Sequence, residues 1–371
     1  MKYNDSDYEK ATYFFPNSDN RTKMFLFAVL ETLKPTSLPN IMFQLYFSVL
    51  AMIVTLFHLI TLSRKSTLTS PVISIMIGIG VCDFVAMIFI TTAGLIDYNN
   101  YDDCAVPTTL FQLFFHWVSK NIQYLARRSS TWLGVVLALT RYIHLKFWSK
   151  PISHLFSDIY FGFKISVACA AASLPFSIIY YFRYDLVQDE EWDPPEECGY
   201  IRNEDAPVFV YILNPSALFT NHNGLFGKIY MLINGTLTEI LPCILLPLLT
   251  FLLIMELRKI SKTSEESTFT KRKVNNRTTG LVIFMTISFF IIELPVGVCV
   301  VLQVSQTDPG FLYITTYVTH FCDSVFLLNA MAHCLICFAM SCQYRKTVLA
   351  MFQKNRANTT VSTVLISRHG N

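Results

Sequence analysis

Asp83, Arg127, Arg128, Glu239, Glu293 and Asp323 all sit inside stretches apolar enough for the interior of a lipid bilayer. A charge placed there is costly, so such groups turn toward a bundle interior, pair with one another, or meet a charged ligand. Carboxylates and guanidiniums in this setting bind and sense charge. Enzyme chemistry is not indicated: HExxH, GxSxG and paired aspartates in Gly-rich spans are all missing. We expect no catalytic residue, no metal site and no cofactor.

The stretch RRSSTWLGVVLALTRYIHLK, residues 127–146, poses the problem most sharply. Helical residues turn by about 100° each, so Arg127 and Arg141 lie roughly 40° from a common face and Arg128 roughly 140° from it. The axial gap between Arg127 and Arg141 is about 21 Å. That places Arg141 at the inner rim and Arg127 in the outer half, where a cavity open to the outside would hydrate it. Arg127 has two compatible readings: an internal ion pair with Glu293 or Glu239, or a contact for an anionic ligand group such as a peptide carboxylate. Arg128 is expected to be structural or to snorkel outward. Glu239, near the end of its stretch, is expected to be solvated, whereas Asp83 lies deeper and needs Asn329 or Ser130 as a polar partner.

The elements that must position these groups are membrane spans. The chain has 371 residues, 53% hydrophobic and 15% charged, against about 25% charged in soluble domains. A span needs about 20 mostly apolar residues. Candidate stretches fall at 40–62, 71–96, 121–145, 161–182, 229–255, 280–304 and 311–340. The alternative is six spans with 121–145 a buried soluble helix. Segments after the first, third and fifth stretches, with the C-terminal tail, carry Arg64, Lys65, Lys146, Lys150, Lys164, Arg258, Lys259, Lys262, Lys271 and Lys273, against the acids Asp158, Glu256, Glu265 and Glu266. The opposite side carries the acidic run DLVQDEEWDPPEEC. Basic segments stay cytoplasmic, so the N-terminus is expected outside and the C-terminus inside, in a multi-pass protein of the plasma membrane. The expected organisation is an extracellular tail over 1–38, a bundle over 39–340, and a short amphipathic eighth helix with a cytoplasmic tail over 341–371. Nucleic acid is not an expected partner, since the net charge is only +3 and no basic-aromatic patch is present.

Smaller signals fit the same frame. MFLFAVL at 24–30 is too short for a cleavable signal and runs into Glu31. The sequons at Asn4 and Asn20 fall outside and are candidates for glycosylation, those at Asn276 and Asn358 fall inside, and that at Asn234 lies close to a span. Cys104 and Cys198 are the cysteines of the outer loops, an oxidising compartment, and are expected to pair. Cys342 is a candidate for palmitoylation. Pro175, Pro242, Pro247 and Pro295 each remove a helical hydrogen bond and favour kinks.

Taken together, these features resemble the rhodopsin-like G-protein-coupled receptors. TRY at 140–142 looks like that family's acid-Arg-Tyr motif, ELP around Pro295 like its span-six bend, and NAMAH at 329–333 like its Asn-Pro-x-x-Tyr. Asp83 and Trp132 match its span-two aspartate and span-three tryptophan, and SCQYRKTV resembles its eighth helix. RRSSTWLGVVLALTR, FHLITLSRKS, FFIIELPVG and AHCLICFAMSCQYRKTV are closer to the nematode serpentine receptors of class W, which are similar to FMRFamide-type peptide receptors. The resemblance covers about residues 38–350. The departures are Thr140 for the acid, Thr55 for a span-one Asn, Ala330 for proline, His333 for tyrosine, and a long interval from Cys104 to Arg141.

The resemblance implies an all-α seven-transmembrane helix bundle that binds a peptide or small-molecule ligand among Arg127, Glu239, Glu293 and Asp323, with the Cys198 loop as lid. Thr140, Arg141, Tyr142, Pro295, Asn329 and His333 would form the switch toward a heterotrimeric G protein, with Asp83 and Ser130 as polar core. Phosphorylation of KTSEESTFTKRK and of NTTVSTVLIS would recruit arrestin. The ligand would be a neuropeptide or a chemosensory peptide. A membrane transporter is the rival class, but no internal repeat with paired broken helices is visible. A single helix from Cys104 to Arg141 would be about 56 Å long, so 104–120 are expected as an extended outer loop or a helix lying at the interface.

Overall fold

The computed structural model describes residues 5–68, 70–99, 104–146, 158–193, 198, 208–263, 269–306 and 308–353. The chain is mostly helical: α1 Asp5–Phe14, α2 Asn20–Leu33, α3 Ser37–Leu62, α4 Pro71–Asn99, α5 Leu110–Lys146 and α6 Ile159–Tyr181. A two-stranded antiparallel hairpin follows, β1 Tyr184–Glu191 with β2 Phe209–Pro215. Then come α7 Ala217–Asn234, a π turn Gly235–Ile240, α8 Leu241–Thr263, α9 Phe269–Leu302 and α10 Pro309–Met340. Residues 342–353 are also helical, α11.

Helix α5 is the central element, packing on α4, α6 and α8, while α3 joins α4 to α10 and α10 joins α9. The shared core takes Ala51 from α3, Ala86, Met87 and Ile90 from α4, Ala126 from α5, Ile292 from α9, and Phe326, Leu327 and Ala330 from α10. Large apolar side chains point outward around the assembly: Ile53 is 62% exposed, Val167 70% and Phe251 60%. Apolar faces on both the inside and the outside of helices mark a lipid-embedded protein. Asn20–Leu62, Pro71–Asn99, Tyr160–Tyr181, Ala217–Lys259 and Pro309–Ala339 are long and apolar enough to cross a membrane, and Thr286–Leu302 is a shorter apolar helix. Helix α5 is too polar for that test because its apolar run carries Arg127 and Arg128.

Three features differ from expectation. First, α5 does not stop near residue 121. It runs for 37 residues, about 55 Å, so residues 110–120 extend the span helix and are neither loop nor interface helix. Its start is set by a reciprocal cap: the Gln112 amide donates to Thr109 Oγ1 at 3.3 Å, and Gln112 Oε1 accepts from the Thr109 amide at 2.9 Å. Its projecting turns are covered where Trp117 donates to the Tyr181 carbonyl at 3.1 Å and stacks on Tyr180. Second, the N-terminal segment is a folded cap. Ala11, Phe15, Phe27 and Leu30 of α1 and α2 pack on Phe311 and Ile314 of α10, and Asp308 accepts hydrogen bonds from the Asn17 amide and side chain and from Ser18. Asp19 caps α2, and bonds from Thr22 and Arg21 hold its carboxyl below the usual range. Third, α7 is interrupted at 221–224, where His222, Asn223 and Gly224 take left-handed φ of 52°, 57° and 70°.

The π turn before α8 answers Pro242. A proline nitrogen cannot donate, and the backbone widens by one residue ahead of it. The wider turn is received by glycines: a Cβ on Gly297 of α9 would lie 2.7 Å from Glu239 Cβ, and one on Gly235 would lie 2.8 Å from Val301 Cγ2. Gly297→Ala is therefore expected to destabilise by about 1–3 kcal/mol through overpacking, read as a lower melting temperature in detergent. Gly94→Ala, whose Cβ would meet only Leu45 at 3.5 Å, should not lower it. Equal melting of the Gly297 variant and the parent would contradict this packing.

Candidate functional site

Arg127 is buried in a charged layer: it is 4% exposed, with Glu293 4% and Asp323 0% exposed. Its Nη1 donates to Asp323 Oδ1, and its Nη2 donates to Glu293 Oε1 at 3.2 Å. Gln123, one helical turn earlier, donates to the other Asp323 oxygen at 2.9 Å, and the Phe326 ring lies 5.5 Å from the guanidinium carbon. One planar fork thus ties α5 to α9 and α10. An arginine does this where a lysine cannot, because its donors diverge at fixed angles. The pairing with Glu293 was one of the two partners the sequence offered, and Asp323 is an additional one.

Arg128 points inward as well, which fits the structural one of its two expected roles and not the outward snorkel. It donates to the Ser173 carbonyl at 3.1 Å, to Ser177 Oγ at 3.2 Å and to Asn234 Oδ1 at 3.0 Å, and it is 5% exposed. Because α5 lies between α4, α6 and α8, faces 100° apart both meet protein. Asn234, read as part of a sequon, therefore faces inward. Glu239 sits in the π turn, half-buried and not freely solvated, accepting from Thr238 at 3.3 Å. Its carboxyl is close enough to that of Glu293 for the two charges to act on each other.

Above this layer, toward the hairpin, opens a cavity of about 270 Å³. Its walls include Trp117, Lys120, Tyr124 and Arg128 of α5, Tyr180 of α6, Arg183 and Tyr184 beside it, Tyr230 of α7 and His320 of α10, and Glu239 contributes to its floor. Of the four residues expected to bind ligand, Glu239 lines the cavity, whereas Arg127, Glu293 and Asp323 form the buried layer beneath. Lys120, Arg183 and His320 had not been singled out. They come from α5, α10 and the residues just after α6, so nothing in their types or positions links them until the helices pack. The Cys104–Cys198 disulfide lies at this end, as expected. Asn20 is exposed at the start of α2, where its side chain accepts from Tyr8 at 3.0 Å. Asn4, Asn358 and the tail phosphorylation sites lie outside the described residues.

Below the buried layer, Ser130 donates to Asp83 at 2.6 Å. Asn329 Oδ1, the other partner considered, has no hydrogen bond among the described residues. Asp83, Thr55, His58 and His333 line a small cavity of about 20 Å³, room for a single water. His58 is held by Tyr344 of α11 at 2.9 Å, a contact no motif announced. At the far end of α5, Thr140 is buried and Arg141 lines a small pocket with Leu246, Thr286 and Phe289. Arg141 Nη1 has no partner among the described residues. Tyr142 accepts from Lys146 at 2.7 Å. Pro295 lies within α9.

The sequence profile of the serpentine type 7TM GPCR chemoreceptor Srw family matches residues 42–355, and the chain belongs to that family. No curated protein matches it.

Removing the bridging cation tests the layer. Arg127→Gln leaves two buried carboxylates facing one another and should cost about 3–5 kcal/mol. Arg127→Lys should recover only part of this, because one ammonium cannot serve both carboxylates in the fork geometry. Thermal melting of purified protein reads both, and a lysine variant as stable as the parent would contradict the bridge.

Proposed function

We propose that the chain is a seven-span receptor that binds a peptide or small-molecule ligand in the hairpin-end cavity and signals to a heterotrimeric G protein. The spans are α3, α4, α5, α6, the continuous run from α7 through α8, α9 and α10, with α11 as the eighth helix on the cytoplasmic face. The N-terminus is extracellular in the plasma membrane, where Asn4 and Asn20 meet the glycosylation machinery. Family membership and the basic inner segments support this arrangement.

One observation carries the mechanism: the ligand cavity and the buried Arg127 layer share a wall. Glu239 belongs to both, lining the cavity and lying within electrostatic reach of Glu293 and Arg127. A ligand that engages Glu239 changes the charge balance at Glu293 and thereby at Arg127, which holds α9 and α10 to α5. Loosening α9 lets it swing about Pro295 and uncover Arg141 for the G protein. A ligand shifts this balance only by its differential affinity for the two arrangements. Arrestin follows from phosphorylation of the inner loop and tail.

Ligand-dependent GTP exchange on an added heterotrimeric G protein, in membranes carrying this chain, is the test. Substrate flux without G protein, and no exchange, would favour a transporter. A sharper expectation concerns position 140. Arg141 lacks an acidic neighbour because Thr140 stands there. Thr140→Asp supplies one at nearly the same volume, and basal exchange should fall about threefold or more, as for a charge-assisted pair. Unchanged basal exchange at equal surface expression would contradict the role given to Arg141.

A further inference from the structure

The cations of the hairpin-end cavity are not equivalent. On one wall, Lys120 and His116 lie 3.9 Å and 3.7 Å from the Asp97 carboxylate, so that wall is internally balanced. Arg128, deeper along α5, and Arg183 line the same cavity and have no ion pair among the described residues. Arg128 spends its donors on neutral groups, and its buried Nε has no partner among the described residues. Glu239, on the same cavity, makes no ion pair with it. Arg183 follows the last turn of α6 and is braced between two rings, 5.7 Å from the Tyr180 centroid and 5.0 Å from that of Tyr184. Arg128 lies 5.3 Å from the Phe176 ring centroid, and Tyr230, which lines the same cavity, is fixed by donating to the Phe176 carbonyl at 2.8 Å.

A buried or half-buried guanidinium without an acid is costly to keep. Two lining one cavity, both held in place by aromatic rings, form a preorganised surface for an anion. Guanidinium forks match a planar carboxylate bidentately. The surrounding rings of Trp117, Tyr180, Tyr184 and Tyr230 favour a ligand whose carboxylate sits beside an apolar or aromatic group.

We propose that Arg128 and Arg183 form a carboxylate-binding subsite, so that the ligand presents a free acid, such as a peptide C-terminus, to the α5–α6 wall. The proposal rests on reading this cavity as the ligand site. It moves the anion contact from Arg127, which its own acids already satisfy, to the two arginines that make no ion pair among the described residues.

The test needs neither the native ligand nor a G protein. Purified full-length protein is treated with phenylglyoxal, and modification of Arg183 is followed by mass spectrometry with N-acetylphenylalanine or its amide present. The acid should slow modification of Arg183 by about threefold or more through charge-assisted pairing, and the amide should not. Equal rates with acid and amide, or an Arg183 that the reagent cannot reach in the absence of either compound, would overturn the subsite. Protection without ligand-driven GTP exchange would leave the subsite standing and remove the receptor reading. Exchange without protection would do the reverse.

Discussion

A single guanidinium buried among apolar helices constrains everything else in this molecule. Arg127 cannot remain charged in hydrocarbon without acids, and it has Asp323 from α10 and Glu293 from α9. Those acids in turn cannot be buried without it. The three residues come from distant parts of the chain, so their mutual need fixes which faces of α5, α9 and α10 meet. The apolar cluster of Ala51, Ala86, Met87, Ile90, Ala126 and Leu327 then fills the space around that contact. Burial of such a triad adds little net stability compared with a well-packed apolar core. Its value lies in specificity and in responsiveness to nearby charge.

That responsiveness organises the molecule along its length. The cavity lies on one side of the charged layer, with Glu239 belonging to both. On the other side, Asp83 and Ser130 continue a polar column that reaches the small cavity beside Thr55 and His333. His58 connects this region to Tyr344 of α11. Polar groups therefore run through the apolar bundle from the hairpin end toward the Arg141 end. A change in charge at the top has contiguous polar neighbours through which to act, and helices with Pro295 and the π turn supply places to bend.

Much of this was legible in the sequence because intramembrane charges are few and expensive. The sequence narrowed Asp83 to Ser130 or Asn329 and Arg127 to Glu293 or Glu239, and it paired Cys104 with Cys198, since each group had few candidate partners; the structure selects Ser130 and Glu293 and adds Asp323. What could not be read depended on packing. Helical angles placed Arg128 away from Arg127, but only the central position of α5 makes both faces interior. The length limit of a bilayer argued against one helix from Cys104 to Arg141, yet the Thr109–Gln112 cap starts a helix that runs from Leu110 to Lys146, and the end of α6 covers its projecting turns at Trp117. The N-terminal cap on α10 escaped notice because its apolar residues are too few for a span and were read as a tail. Arg183 carried no motif, and its significance comes from the two rings that hold it.

The packing of α5 against α10 rests on the coupling between Arg127 and Asp323. A double-mutant cycle on purified protein, combining Arg127→Gln with Asp323→Asn and read by thermal unfolding, measures it directly. Contact within one buried network predicts an interaction free energy of about 1–3 kcal/mol, with the double variant more stable than the sum of the single losses implies. Losses that simply add, within about 0.5 kcal/mol, would mean that the two groups do not depend on each other and that the charged layer does not hold the helices together.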